Sequence, residues 1–179
     1  MASPPSRRRI AAATTAAVLL LSAGTAAFLL TRTNPRDTDG DRRPVAGIVL
    51  PGFESAPSVD LASFRGKPLV INYWASWCTF CVAEMPDFEK AHKRLGGRVA
   101  FVGVDVMDQL EAAKEFAKRT GVTYTLATDK DASIFKRLGG GLGMPTTFFV
   151  DRDGTIVSRF VGPLTLEDLN KRLRKHFGL

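Results

Sequence analysis

Two cysteines, Cys78 and Cys81, lie in the stretch Trp74-Ala75-Ser76-Trp77-Cys78-Thr79-Phe80-Cys81, and the sequence contains no others. If a helix starts at or just before Cys78, both sulfurs fall on its first turn, one above the other, where they can close a small disulfide ring. The free amides and positive dipole end of such a helix would favour a thiolate at Cys78. Thiol–disulfide exchange needs these parts: an accessible attacking thiolate and a second thiol that resolves the mixed disulfide. Cys78, first on the helix and next to Trp77, is the candidate nucleophile, and Cys81, one turn deeper, the candidate resolving thiol. Two cysteines cannot make a multi-disulfide scaffold, and they supply only half of a four-ligand zinc site. His92 and His176 lack the short His-x(3–5)-His spacing that would complete one.

The neighbouring elements suit that chemistry. Leu69–Trp74 is a β-type run, apolar on both faces apart from Asn72, as expected of a central strand covered on both sides. After Cys81, Met85, Phe88, His92 and Leu95 recur at helical spacing until Gly96-Gly97, with a kink expected at Pro86. His92 falls near the apolar stripe and reads as a structural side chain. Val45–Leu50 and Ser58–Leu61 read as short strands, and Val99–Val106 as a buried one. Asp108 is placed to cap a helix carrying Leu110, Ala113, Phe116 and Ala117 on one face and closed by Gly121. Asp129–Leu138 contains a short helix. Thr146–Val150 and Ile156–Val161 flank the hairpin turn Asp151-Arg152-Asp153-Gly154. Thr165 caps a last helix with Asp168 as its capping-box partner and Leu166, Leu169, Leu173 and Phe177 as its buried stripe. Lys171, Arg172, Arg174 and Lys175 fall on its exposed face. The order predicts an α/β fold with a mixed central sheet and helices on both faces.

The chain has 179 residues and a net charge of +7. Seven Arg and three Asp in residues 1–43 supply more than half of that charge. The remainder is an ordinary mixed surface without the basic stripe that nucleic-acid binding requires. Residues 1–9 read as a basic cytoplasmic N-terminus and residues 10–30 as a transmembrane anchor or signal peptide. Residues 31–44 read as a solvated linker and residues 45–179 as the folded domain. The uncharged run from Ile10 to Leu30 is long enough to span a bilayer, and Arg7-Arg8-Arg9 in front of it keeps the N-terminus inside. Its apolar continuation through Leu30 favours an uncleaved single-pass anchor in the cell membrane with the domain extracytoplasmic. Cleavage among Ser22–Ala27 would instead give a secreted or periplasmic form.

Four features in order carry a family resemblance. Trp77-Cys78-x-x-Cys81 sits between a strand and a helix, Glu84 follows Cys81 by three residues, and Pro86 by five. Gly143-Met144-Pro145-Thr146-Thr147-Phe148 completes the set. With these, residues 45–179 resemble the thioredoxin superfamily, and within it the membrane-tethered TlpA/ResA/CcmG-like thiol–disulfide oxidoreductases. The resemblance implies a thioredoxin-like fold and a redox-active Cys78–Cys81 disulfide, with Cys78 as nucleophile and Cys81 as resolving thiol. It makes Glu84 a proton relay that tunes the cysteines, and Trp77, Met144 and a cis Pro145 the substrate-binding residues. It implies no metal and no cofactor beyond the disulfide, and a monomer acting on exported protein thiols and disulfides, apocytochrome c among the candidates. Electrons would come from a CcdA-like membrane donor.

The chain departs from the wider superfamily in Thr79-Phe80, which lacks the proline many relatives place before the second cysteine. It departs again in Asn72, where thioredoxin itself has aspartate. A disulfide-forming oxidant of the same fold and a non-catalytic tethered binding module are the alternatives. A peroxidase is disfavoured because Ala75 lies three before Cys78. The run Gly139–Gly143 lacks the Lys-Ser/Thr ending of a phosphate loop.

Overall fold

The computed structural model describes residues 37–141 and 143–179. The expected basic N-terminus, the apolar segment 10–30 and the start of the linker lie outside the described residues. The elements run β1 (Asp37–Asp39), β2 (Val49–Leu50), β3 (Val59–Asp60), β4 (Leu69–Trp74), α1 (Thr79–Leu95), β5 (Ala100–Val106) and α2 (Leu110–Thr120). They continue with β6 (Thr125–Asp129), α3 (Ser133–Arg137), β7 (Thr146–Val150), β8 (Ile156–Val161) and α4 (Leu166–Phe177). A six-stranded sheet has the order β1-β8-β7-β4-β5-β6, and β2-β3 form a separate hairpin. β4 pairs in parallel with β5 and antiparallel with β7, so the sheet is mixed at its centre. The fold is thioredoxin-like.

Every residue of β4 is buried, because the sheet is covered on both sides. Strand alternation then sorts its side chains. Leu69, Ile71 and Tyr73 enter a cluster with Val104, Phe148, Phe135 of α3 and Leu50 of the small hairpin. Val70 points the other way, into a cluster with Phe88 and Leu95 of α1 and Leu169 and Leu173 of α4. Trp74 ends the strand in a third cluster with both cysteines, Met85 and Phe116. Its ring stacks on Phe116 at 5.0 Å between centroids and 9° between planes. α1 continues through Pro86 and stops at Gly96, whose φ of 54° is the left-handed conformation that glycine adopts without a Cβ clash.

Several expectations are corrected. Residues 37–44 are not free linker: β1 pairs with β8 along the sheet edge, and Pro44 bridges Thr155. The first two expected strands shrink to β2 and β3, and Leu61 starts a short 3-10 turn, Leu61–Phe64, capped by Asp60. α2 begins one residue after Gln109, with no side-chain cap, so Asp108 does not cap it. Leu110 is exposed while Ala113 and Phe116 are buried. Arg172 leaves the exposed face of α4: it pairs with Asp37 at 2.9 Å and lies 4.1 Å over the Phe160 ring, pinning β1. β6 is a strand that the sequence reading did not resolve on its own.

Candidate active site

β4 delivers the site. Immediately after Trp74 the chain turns, with the Cys78 amide donating to the Ala75 carbonyl at 3.1 Å, and α1 starts. Cys78 is the N-cap residue, in an extended conformation, and its Sγ accepts the Cys81 amide at 3.2 Å. A cap is usually an oxygen that satisfies a free amide of the first turn; here sulfur does that work. When Cys78 is a thiolate the same N–H becomes a charge-assisted donor, adding to the dipole. The two cysteines are joined as a disulfide with Cα atoms 5.3 Å apart. Cys81 is fully buried, whereas Cys78 keeps 6% of its surface, so an incoming partner reaches Cys78 first.

Cys78 faces a groove of about 610 Å³ lined by Trp77, Phe80, Met107, Phe135, Lys136 and Met144 among others. Trp77 and Phe80 are more than half exposed at its rim. The Met144–Pro145 peptide bond is cis, and Pro145 is buried at the start of β7. The structure therefore brings Trp77, Cys78 and Met144 to one surface, with Pro145 directly behind Met144.

Glu84 lies outside that groove, one turn beyond Cys81 on α1, and is 2% exposed. Asn72 Nδ2 donates to its Oε1 at 2.8 Å, and the Leu164 amide donates to its Oε2 at 2.8 Å. Asn72 also donates to Thr147 Oγ1, tying the socket to β7. Burial pushes the Glu84 carboxyl up to about 8, against the opposite pull of the Leu164 and Asn72 donors. Glu84 is thus a buried group able to hold a proton near neutral pH, and not a helix-surface charge.

Two features of the site escaped the sequence reading. Asp105, at the end of β5 and level with Trp74 in the sheet register, is 4% exposed. Burial, then the neighbouring Asp108 carboxylate, push its carboxyl up to about 7. Asp108 itself accepts from Ser76 Oγ at 2.7 Å and from the Ser76 amide. An aspartate just after a strand looks like a helix cap in sequence, and only the tertiary fold shows its carboxylate turned to Ser76. His92 packs edge-on to Phe101 and Tyr124, the structural role expected of it. Among the described residues no group of three or more His, Cys, Asp or Glu side chains is arranged to hold a metal.

Comparison with known proteins agrees with this geometry. The sequence profile of the Redoxin family matches residues 44–173. The chain is 30% identical over 118 residues to the thiol-disulfide oxidoreductase ResA of Bacillus thuringiensis subsp. konkukian, covering 65% of this chain and 68% of that protein. It is 31% identical over 121 residues to the thiol:disulfide interchange protein DsbE of Pseudomonas fluorescens, covering 67% of this chain and 66% of that one. Among solved structures, a DsbF homologue from Corynebacterium diphtheriae superposes with a TM-score of 0.72 at 30% identity, over 81% of this chain and 96% of that one.

Proposed function

Because this chain belongs to the redoxin family, alongside the ResA- and DsbE-type thiol–disulfide oxidoreductases, we propose that it reduces disulfides in exported proteins through Cys78 and Cys81. The observation that carries this is the disulfide at the start of α1, with Cys78 on an open apolar groove and Cys81 sealed behind it. In the reduced chain the Cys78 thiolate attacks one sulfur of a partner disulfide. That S–S bond breaks and the other partner sulfur leaves as a thiolate, which takes up a proton. Cys81 then loses its proton and attacks Cys78 Sγ. The Cys78–Cys81 bond forms, the mixed disulfide breaks, and the partner has gained two electrons and two protons.

Burial opposes ionisation of Cys81, so its deprotonation is the step that needs help. Glu84, one turn beyond Cys81 and with its carboxyl raised by burial to about 8, is a far closer match to a thiol than an ordinary carboxylate would be, which lowers the cost of proton transfer between them. This assigns Glu84 the proton relay. Trp77 and Met144, with the cis Pro145 setting the backbone behind Met144, form the surface on which an extended partner segment lies beside Cys78. The exchange uses no cofactor beyond the disulfide itself. Residues 10–30 tether the domain on the extracytoplasmic side of the cell membrane, a CcdA-like membrane protein resupplies electrons, and apocytochrome c is a candidate partner.

The direction of electron flow is set by the reduction potential of the Cys78–Cys81 pair, measured by equilibration with defined thiol–disulfide buffers. A value well below about −200 mV supports a reductant, and one near about −120 mV makes the protein a disulfide-forming oxidant instead.

A further inference from the structure

We propose that Asp108 is the positioning residue for Cys78, holding the turn that delivers the nucleophilic sulfur. This rests on the dithiol–disulfide reading above. The turn Ala75–Cys78 has two central residues, Ser76 and Trp77, and both are tied to consecutive residues of the loop between β5 and α2. The Ser76 amide and hydroxyl each donate to the Asp108 carboxylate, the hydroxyl at 2.7 Å to Oδ1. Trp77 Nε1 donates to the Met107 carbonyl at 3.2 Å. The bonds span 30 and 32 residues of sequence, so they are tertiary clamps and not local turn chemistry.

The loop itself is held in an unusual shape. Met107 has a φ of 49°, in the left-handed region that non-glycine residues adopt only where the surroundings hold them. Asp108 also accepts the Gln109 amide at 2.7 Å, which fixes its carboxylate against its own backbone. The ordinary use of an aspartate before a helix is to cap it, but α2 receives no side-chain cap. What remains is geometry: the clamp fixes the peptide two residues before Cys78, and hence the line along which Sγ meets a partner disulfide. Misplacing a reacting atom by about 1 Å costs on the order of a hundredfold in rate.

The test uses the full chain, reduced, in single-turnover reduction of a disulfide-bonded peptide across a range of pH, with the thermal unfolding midpoint recorded for each variant. Asp108→Ala is expected to lower the high-pH plateau rate by about ten- to a hundredfold. Ser76→Ala keeps the charge and loses only the hydroxyl bond; it should lower the plateau by about three- to tenfold. Ser76→Thr, which restores the hydroxyl, should recover most of it. The midpoint of iodoacetamide alkylation of Cys78 in Ser76→Ala should stay within about half a pH unit of wild type. If both alanine variants keep the wild-type plateau and merely unfold at lower temperature, the clamp is structural and the proposal fails. If Ser76→Ala loses rate only through a shifted alkylation midpoint, Asp108 acts through charge and the proposal also fails. Should Asp108→Ala not fold, the Ser76 pair alone decides. A wild-type chain that fails to reduce the peptide overturns the underlying exchange reading instead, which separates the two failures.

Discussion

Glu84 and Asp105 are both buried carboxyls, 2% and 4% exposed, yet they are built differently. Glu84 sits in a socket: Asn72 of β4 and the Leu164 amide before α4 each supply a hydrogen bond to one of its oxygens. Asp105 has an oxygen, Oδ1, with no partner, and a second carboxylate, Asp108, beside it. Burial raises both groups, to about 8 for Glu84 and about 7 for Asp105. The donors around Glu84 pull its carboxyl back down, while the neighbour of Asp105 pushes its carboxyl further up. A raised carboxyl is therefore not enough to mark a functional group. The organised socket is what sets Glu84 apart, and it supports the proposed proton relay.

The largest effect that would sharpen this contrast is kinetic. Glu84→Gln keeps the size and an acceptor but removes the titrating proton. Resolution of the mixed disulfide by Cys81, followed by stopped flow, should slow about 10²- to 10⁴-fold near neutral pH. An unchanged resolution rate would remove Glu84 from the chemistry and leave it a structural residue.

Stability comes next. Glu84→Leu strands the Leu164 amide and removes the Asn72 bond to Glu84, leaving Asn72 only Thr147, and should cost about 2–4 kcal/mol in urea unfolding. Asp105→Asn breaks no donor's bond and should stay within about 1 kcal/mol of wild type. Equal losses would erase the distinction.

The pH dependence follows from the sign of each shift. A carboxyl raised in the folded chain binds a proton there that the unfolded chain has released. Its contribution is fully present below the unfolded value and is lost as pH rises to the folded one. For Glu84 that window runs from 4.5 to about 8, and for Asp105 from 3.8 to about 7. Each group contributes a slope of up to about 1.4 kcal/mol per pH unit within its window. Glu84→Gln should therefore remove more of the slope between about pH 7 and 8 than Asp105→Asn does, because Asp105 is already losing the last half of its proton there while Glu84 is still mostly protonated.

The smallest expected effect concerns the edge of the sheet. Asp37→Ala frees Arg172, a half-buried pair that also lies over Phe160, and should cost about 0.5–1 kcal/mol. A null result would mean that the Asp37–Arg172 pair adds nothing to the hold on β1.

The elements that do not depend on distant partners could be read from sequence. β4, β7 and β8 fall at the expected residues because apolar β-branched and aromatic runs are bounded by turn residues. α4 starts where Thr165 accepts the Asp168 amide, as its capping box requires. The cysteine pair and the groove residues Trp77 and Met144 were also legible, since motif order fixes their place in the fold. What escaped were features made by partners far along the chain. Asp37-Thr38-Asp39 looks like linker until Arg172 and Lys175, more than 130 residues later, hold it to the edge. Thr125–Asp129 is too polar to stand out as β6, and it is a strand because β5 lies beside it in register. Asp108 carries the local signature of a helix cap and is captured by Ser76 instead. That Glu84 belongs near the cysteines follows from its offset, but its two donors come from β4 and the segment before α4, which no spacing rule reveals.

The central claim is that Cys78 attacks and Cys81 resolves. The most direct measurement incubates reduced Cys81→Ser full chain with disulfide-bonded insulin and resolves the products by non-reducing mass analysis. A covalent one-to-one adduct through Cys78, released by dithiothreitol and absent when Cys78 is also replaced, is the predicted result. Folded Cys81→Ser protein that forms no adduct would contradict the account.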